Sequence, residues 1–336
     1  MENKITSLVT GGAGFIGAHV VNHLIEMGHN VVVLDDLSGG FEENINTDAI
    51  FVKGCITDVD LIIDIFEKYQ FDYVYHLAAY AAEALSHFIR KYNYDNNLTG
   101  SINLINASIK HNIKCFVFTS SIGVYGHQEP PMVESNQPTP IDPYGIAKYA
   151  VEMDLASAND MFGLDYIIFR PHNVYGRYQN IGDKYRNVIG IFMNQILKGE
   201  DLTIFGDGEQ TRAFSHIDDV APHIANSINY PEAYGEIINI GGDVTYTVNN
   251  LADVVIKSMD MGTSNKIHLE ARNEVDHAFS DHQKAHSLFN IDSNSMVDLG
   301  DGISDMAEWV KNVGSKHTPD FTNIEIHKKL PQSWNK

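Results

Sequence analysis

Tyr144 and Lys148 lie four residues apart, a spacing that sets two side chains on one face of a helix. A free phenol titrates near pKa ~10 and is a poor base at neutral pH. A neighbouring ammonium, the positive end of the helix and a cationic ring close by would each stabilise phenolate, so the pattern predicts a Tyr144 pKa below that value. Tyr144 can then exchange a proton with a substrate hydroxyl while hydride moves to or from a nicotinamide. Ser121, at the end of the run KCFVFTSS, is placed to bond the same oxygen. Alone, a Tyr and a Lys at this spacing make an ordinary helix face. A second pattern upstream changes that reading. In SLVTGGAGFIGAHVVNHL, Gly11, Gly14 and Gly17 fall between a strand and a helix. The first permits a tight turn, the second lets backbone approach a pyrophosphate, and the third brings helix and strand together. Asp35 ends the next strand, where a carboxylate bonds the adenosine ribose and repels a 2′-phosphate, selecting NAD over NADP. Asp36 is either a second ribose ligand or a solvated loop acid.

These residues need a scaffold, and the chain from Ile5 to about Ser121 supplies one. Short β-branched runs (ITSLVT, HNVVVLD, AIFVKG, DYVYHLAA, KCFVFTSS) alternate with amphipathic stretches, the pattern of right-handed βαβ crossovers and a parallel sheet. The strands are too apolar for a half-exposed sheet, so helices should cover both faces in a doubly wound, Rossmann-type α/β fold. Five prolines between Glu129 and Pro143 mark a surface loop. At its end Asp142 can cap a helix with Pro143 in its first turn. A sixth strand, FGLDYIIFRPHNVYG, is followed by shorter elements. The expected division is a dinucleotide-binding domain over residues 1–172, open to later strands, and a mainly substrate-binding region over 173–336.

Composition narrows the function. Among 336 residues, 23 Lys and Arg against 44 Asp and Glu give a net charge of −21, a field that repels nucleic acid and anionic membrane. An anionic ligand therefore needs specific arginines. No apolar run approaches the ~18 residues of a membrane span. Two cysteines cannot form a disulfide framework, and the first strand-like run begins at Ile5, so the expectation is a cytosolic protein without a secretory leader. Sixteen histidines, His216, His223, His277, His282 and His286 among them, show no metal-ligand spacing, and no metal is expected.

The ordered motifs TGGAGFIG, HLAA, YDNNLTGSINLI, FTSSIGVYG, PYGIAK, RPHNVYG, IFGDGEQTRAFSHIDDV and SDHQKA resemble the extended short-chain dehydrogenase/reductase family, in its nucleotide-sugar epimerase and dehydratase branch. The resemblance implies cofactor contacts by Gly11, Gly14, Phe15, Ile16, Gly17, Asp35, Asp36, Ile56, Ala78, Ala79, Asn97, Tyr144 and Lys148. It implies catalysis by Ser121, Tyr144 and Lys148. Substrate contacts fall to Ser121, Tyr144, Asn173, Asn187, Phe205, Arg212 and Arg272, with the two arginines holding the diphosphate. His172 is expected to be a buried partner of backbone. Helices around Asn93–Lys110 and Tyr144–Met161 pair across a twofold axis in the family, which implies a homodimer.

Three departures shape the expected reaction. GCITD puts Cys55 where relatives carry an adenine-binding Asp, leaving Asp58 three residues on. Ile122 and Gly123 replace the Asp-Glu pair of sugar 4,6-dehydratases, so water elimination lacks its acid and base. ARNEVDHAFSD is one residue shorter than the Arg-x-Gly-acid pattern of relatives, and counting back from Asp281 puts Ala278 where relatives use side-chain bulk to exclude 2-N-acetyl sugars, which leaves room for them. The expectation is C4 epimerisation of a nucleotide-diphosphate hexose, UDP-linked, through a transient 4-keto sugar, with Ala81 and Gly123 leaving room for the sugar to turn. Lys184 and Arg186, either substrate contacts or solvated helix-start charges, keep rivals open: 3,5-epimerisation of a GDP-sugar, epimerisation or decarboxylation of a UDP-uronate, or 4-keto reduction; a non-enzymatic NAD sensor is the alternative of another class.

Overall fold

A computed structural model describes residues 4–262, 264–271, 275–318, 321–331 and 334. The apolar runs form strands β1 (Thr6–Thr10), β2 (Asn30–Asp35), β3 (Ile50–Lys53), β4 (Tyr73–His76), β5 (Cys115–Thr119) and β6 (Tyr166–Pro171). They lie parallel in the order β3-β2-β1-β4-β5-β6, and Ile237–Ile240 adds a seventh parallel strand beside β6. The sheet thus draws an edge strand from beyond residue 172. Strand order reverses between β1 and β4, the place where open α/β sheets bind ligands beyond their carboxyl ends.

Helices cover both faces. Val20, Val21 and Leu24 of the Phe15–Glu26 helix pack on one side with Ile224; Leu104, Val151 and Leu155 pack on the other. Every residue of β5 is buried, as a strand sandwiched by helices requires. The later region has its own apolar core, in which Phe192, Leu251 and Met306 meet between three helices.

The expected cap forms. Asp142 accepts from the backbone N–H groups of Tyr144 (2.9 Å) and Gly145 (3.0 Å), and starts the Pro143–Phe162 helix. Further along that helix, Glu152 is buried between strands. Its Oε1 accepts from Arg170 Nε (2.9 Å) and Ser120 Oγ (2.5 Å), and its Oε2 accepts from Arg170 Nη2 (2.5 Å). The guanidinium also lies 4.7 Å over the Tyr125 ring. The other long helix runs from Arg90 to Lys110 through a π-helical turn at Asp95–Thr99.

After the last long helix, Leu299–Val313, the chain returns to the first half of the molecule. Glu325 accepts from the N–H groups of Lys91 and Tyr92, both at 2.8 Å, and its own N–H donates to the Phe88 carbonyl (2.8 Å). Leu330 and Trp334 cluster with Ala82, Leu85 and Ile89.

Glu152→Gln leaves Arg170 buried without its counter-charge. Unfolding in denaturant should show a loss of about 3–5 kcal/mol; a change under about 1 kcal/mol would show that the pair does not hold the helix to the sheet.

Candidate active site

At the carboxyl edge of the sheet, Gly11 adopts φ +72° and its N–H donates to the Leu34 carbonyl (2.9 Å). A β-carbon there would lie 2.7 Å from the Ala78 nitrogen, and one on Gly17 would lie 2.1 Å from the Gly11 oxygen. Either side chain would force the turn off β1 or off the helix. The Phe15–Glu26 helix starts at Gly14 with no side-chain cap, so its first N–H groups are available to an anion. Asp35 holds the turn in place: Oδ2 accepts from Ala13 N (3.0 Å) and Oδ1 from Leu37 N (2.8 Å). Burial raises its pKa. Each carboxylate oxygen keeps acceptor capacity for a ribose hydroxyl. Asp36 accepts from Ser38 N (2.8 Å) and also lines the cavity.

The adenine side departs from an acidic pattern. Gly54, Cys55, Ile56 and Asn96 line the cavity there, with Cys55 Sγ 3.7 Å from Asn96 Oδ1. Asp58 instead caps the Val59–Tyr69 helix, accepting from Leu61 N (3.1 Å).

Ser121, Tyr144 and Lys148 converge at the end of β5. Tyr144 and Ser121 face the same cavity; the Ser121 hydroxyl favours the phenolate, and its Oγ accepts from Gly123 N (3.0 Å). Lys148 Nζ donates to the Thr119 carbonyl (2.7 Å) and lies 4.6 Å from the Phe118 ring centroid and 5.9 Å from that of Tyr144. Burial pushes the Lys148 ammonium down to about 7. Burial, with the Glu83 carboxylate second, pushes the Tyr144 phenol well above its ordinary value. From the protein groups alone the shift is therefore upward: the lysine and the helix end do not by themselves give the downward shift expected of Tyr144. Desolvation outweighs attraction here, and it also disfavours the very cation that was to supply the attraction.

The remaining residues mostly reach the same cavity. Ala78, Ala79, Asn173, Asn187, Phe205, Arg212 and Ala278 line it. Asn173 (φ +39°) donates from Nδ2 to the Ala213 carbonyl (3.0 Å), and Asn187 (φ +64°) precedes the Val188–Leu197 helix. Arg212 Nη1 donates to the carbonyls of Thr211 and Asp276, both at 2.9 Å, and Nη2 donates to that of Val275. Asn97 is buried, accepting from Tyr80 N (2.8 Å) and donating to Tyr80 O (3.1 Å), so it positions the loop after Ala79. Arg272 lies outside the described residues. His172 contacts the Ala213 carbonyl (3.2 Å) and His282 Nε2 (2.8 Å), and His282 in turn meets Asp243 (2.6 Å). Burial holds His172 down at about 3, in its neutral form.

Three features carried no sequence signal. Glu83 places Oε1 2.9 Å from where a β-carbon of Gly123 would sit, so a carboxylate enters the space that Gly123 opens. Tyr80 forms a wall, and Lys328, Lys329 and Leu330 of the returning segment close another side.

The cavity measures about 1710 Å³, against the roughly 300–1,000 Å³ that one drug-sized ligand occupies. A dinucleotide and a second large ligand can share it. The side-chain-free cradle at Gly11 and Gly17, the uncapped helix start and the paired ribose carboxylate fit NAD. Among the described residues no three His, Cys, Asp or Glu side chains could hold a metal ion, and no helix is long and apolar enough to cross a membrane.

Residues 7–241 match the sequence pattern of the NAD dependent epimerase/dehydratase family. A solved UDP-glucose 4-epimerase from Thermotoga maritima, with UDP-glucose, superposes with a TM-score of 0.86 at 35% identity over 92% of this chain and 99% of that one. A UDP-N-acetylglucosamine 4-epimerase from Methanobrevibacter ruminantium, with UDP-N-acetylmuramic acid, gives 0.84 at 30% identity over 93% and 100%. A UDP-glucuronic acid 4-epimerase from Bacillus cereus, with UDP-glucuronic acid and NAD, gives 0.84 at 27% identity over 92% and 100%.

The Lys148 shift has a pH consequence. Between about pH 7 and the ordinary lysine range near pH ~10.4, the unfolded chain binds a proton that the folded chain does not, so stability rises with pH. Denaturant titrations at pH 7 and pH 9.5 should show this gain in the wild type and its loss in Lys148→Met. An equal gain in both proteins would show that Lys148 keeps an ordinary pKa.

Proposed function

The chain belongs to the NAD dependent epimerase/dehydratase family, and from that premise we propose that it inverts C4 of a UDP-linked hexose on resident NAD. It is an isomerase of nucleotide sugars with NAD as cofactor. The reading rests on one observation above all: the dinucleotide cradle, the Ser121–Tyr144–Lys148 group and Arg212 line a single cavity.

Bound NAD supplies the hydride acceptor and donor, and its cationic ring adds the positive charge that favours phenolate. Tyr144 Oη takes the C4 hydroxyl proton and later returns it. Ser121 Oγ, on the same cavity wall as Tyr144, orients the same oxygen. Lys148, with a pKa of about 7, exists in both protonation states near neutral pH and so can relay a proton to the phenolate. Arg212, oriented by three backbone carbonyls, holds the diphosphate of an anionic substrate in a chain of net charge −21. Ala81 and Gly123 line the cavity and leave the keto sugar room to present its other face. Hydride leaves and returns to the same carbon, so nothing is oxidised overall. Ala278 lines the cavity and pairs with Arg212 across two strands, which supports acceptance of 2-N-acetyl hexoses beside UDP-glucose.

A homodimer belongs to this reading. Ile146, Met153, Met161 and Phe162 are exposed on the Pro143–Phe162 helix, apolar area that a second copy can cover. Two free cysteines, Cys55 and Cys115, support a reducing, cytosolic setting.

Purified protein incubated without added cofactor should interconvert UDP-glucose and UDP-galactose, or their N-acetyl counterparts, and leave GDP-mannose unchanged. If no UDP-sugar is inverted at C4, the assignment is wrong. Tyr144→Phe should lower kcat about 10²–10⁴-fold while NAD remains bound; full turnover in that variant would remove the proton-transfer role.

A further inference from the structure

Arg186 lies in the loop before the Val188–Leu197 helix, in the substrate-binding half of the chain, and its side chain is only 16% exposed. Nε donates to Asp183 Oδ2 (2.7 Å), and Nη2 lies 2.6 Å from the same oxygen. Asp183 is itself buried, and its Oδ1 accepts from Tyr185 N (2.8 Å). A guanidinium carries five N–H donors. Among the described residues Asp183 is the one acceptor they meet, and Arg186 lines the cavity.

What surrounds the guanidinium tells which anion it faces. Its Cζ lies 4.9 Å over the Tyr80 ring, and Nη2 lies 3.5 Å from where a β-carbon of Gly39 would sit. Gly39 adjoins Gly40, whose β-carbon would lie 2.4 Å from the Ala13 oxygen. Phe41 N donates to that oxygen (3.0 Å), so this loop packs directly on the glycine turn. Tyr80 follows Ala78, which itself lies against Gly11. Tyr144 lines the same cavity, and its phenol feels the Arg186 charge. All three belong to the dinucleotide half.

We propose that Arg186 reaches back across the seam and clamps the diphosphate of resident NAD, with Asp183 as its positioning residue. The glycine turn and helix start offer backbone N–H groups on one side of that diphosphate. Arg186 adds a bidentate cation on the other, which a fork geometry suits better than a lysine would. Asp183 uses one edge of the fork and leaves the rest turned to the phosphates. The proposal rests on NAD residence and not on the identity of the sugar.

Removing the cation alone would strand Asp183, so the test uses Arg186→Lys, which keeps the charge but loses the fork, and the double variant Asp183→Asn with Arg186→Met. NAD retained per chain after gel filtration is measured first. NAD and UDP are then titrated separately into cofactor-stripped protein by calorimetry. The expected result is an NAD affinity weakened at least tenfold in the double variant and by a smaller factor in Arg186→Lys, with UDP affinity unchanged within twofold. Wild-type NAD affinity in both variants, or a loss confined to UDP, overturns the proposal. A wild type that neither retains nor binds NAD would refute the resident-cofactor reading itself, an outcome distinct from these.

Discussion

Glu152 stands one helical turn beyond Lys148 and two beyond Tyr144, and its carboxylate is bound by Arg170 on β6 and Ser120 at the end of β5. That contact presses the Pro143–Phe162 helix onto the carboxyl edge of the sheet. Lys148 Nζ consequently meets the Thr119 carbonyl, and Tyr144 lines the same cavity as Ser121. A buried ion pair adds little net stability once desolvation is counted, but it punishes any packing that separates its partners. Here it selects a register. The constraint spreads further, because Arg170 lies over Tyr125, whose hydroxyl donates to Asn239 Oδ1 (2.8 Å) on the edge strand.

Holding the helix so close exacts a cost at the reacting groups. Neither charged lysine nor phenolate is comfortable where it sits: the amine is pushed toward neutrality and the phenol away from ionising. A site in this condition is quiet without ligands and becomes basic when positive charge is brought to it. The field of Glu83 reinforces the quiet state.

The features legible in the sequence were those whose chemistry is local. Gly11, Gly14 and Gly17, the capping Asp142 and the Tyr144–Lys148 spacing each act within a few residues of themselves, so composition and period sufficed. Asp35 followed because a strand end is recognisable. The partner of Asn97 was not legible for the opposite reason: its position in the motif is plain, but it holds the Tyr80 backbone, seventeen residues away. Asp58 caps the helix that begins beside it. The sign of the Tyr144 shift depends on how completely several segments exclude water, which no single stretch of sequence encodes. Arg186 stood out as a basic residue, but its neighbours Gly39 and Tyr80 come from distant segments. Glu83 and the stretch 321–331 meet the site only through tertiary folding, and nothing in their own surroundings announces it.

That last segment has a bearing on how the enzyme is made. Glu325 binds the backbone of Tyr92 across 233 positions of sequence, while all seven strands of the main sheet are present once Ile240 has been added. During synthesis the dinucleotide cradle can therefore assemble while the wall beside Lys328 and Leu330 is still to be translated. A growing chain has a place for its coenzyme before the last wall of the cavity has been made.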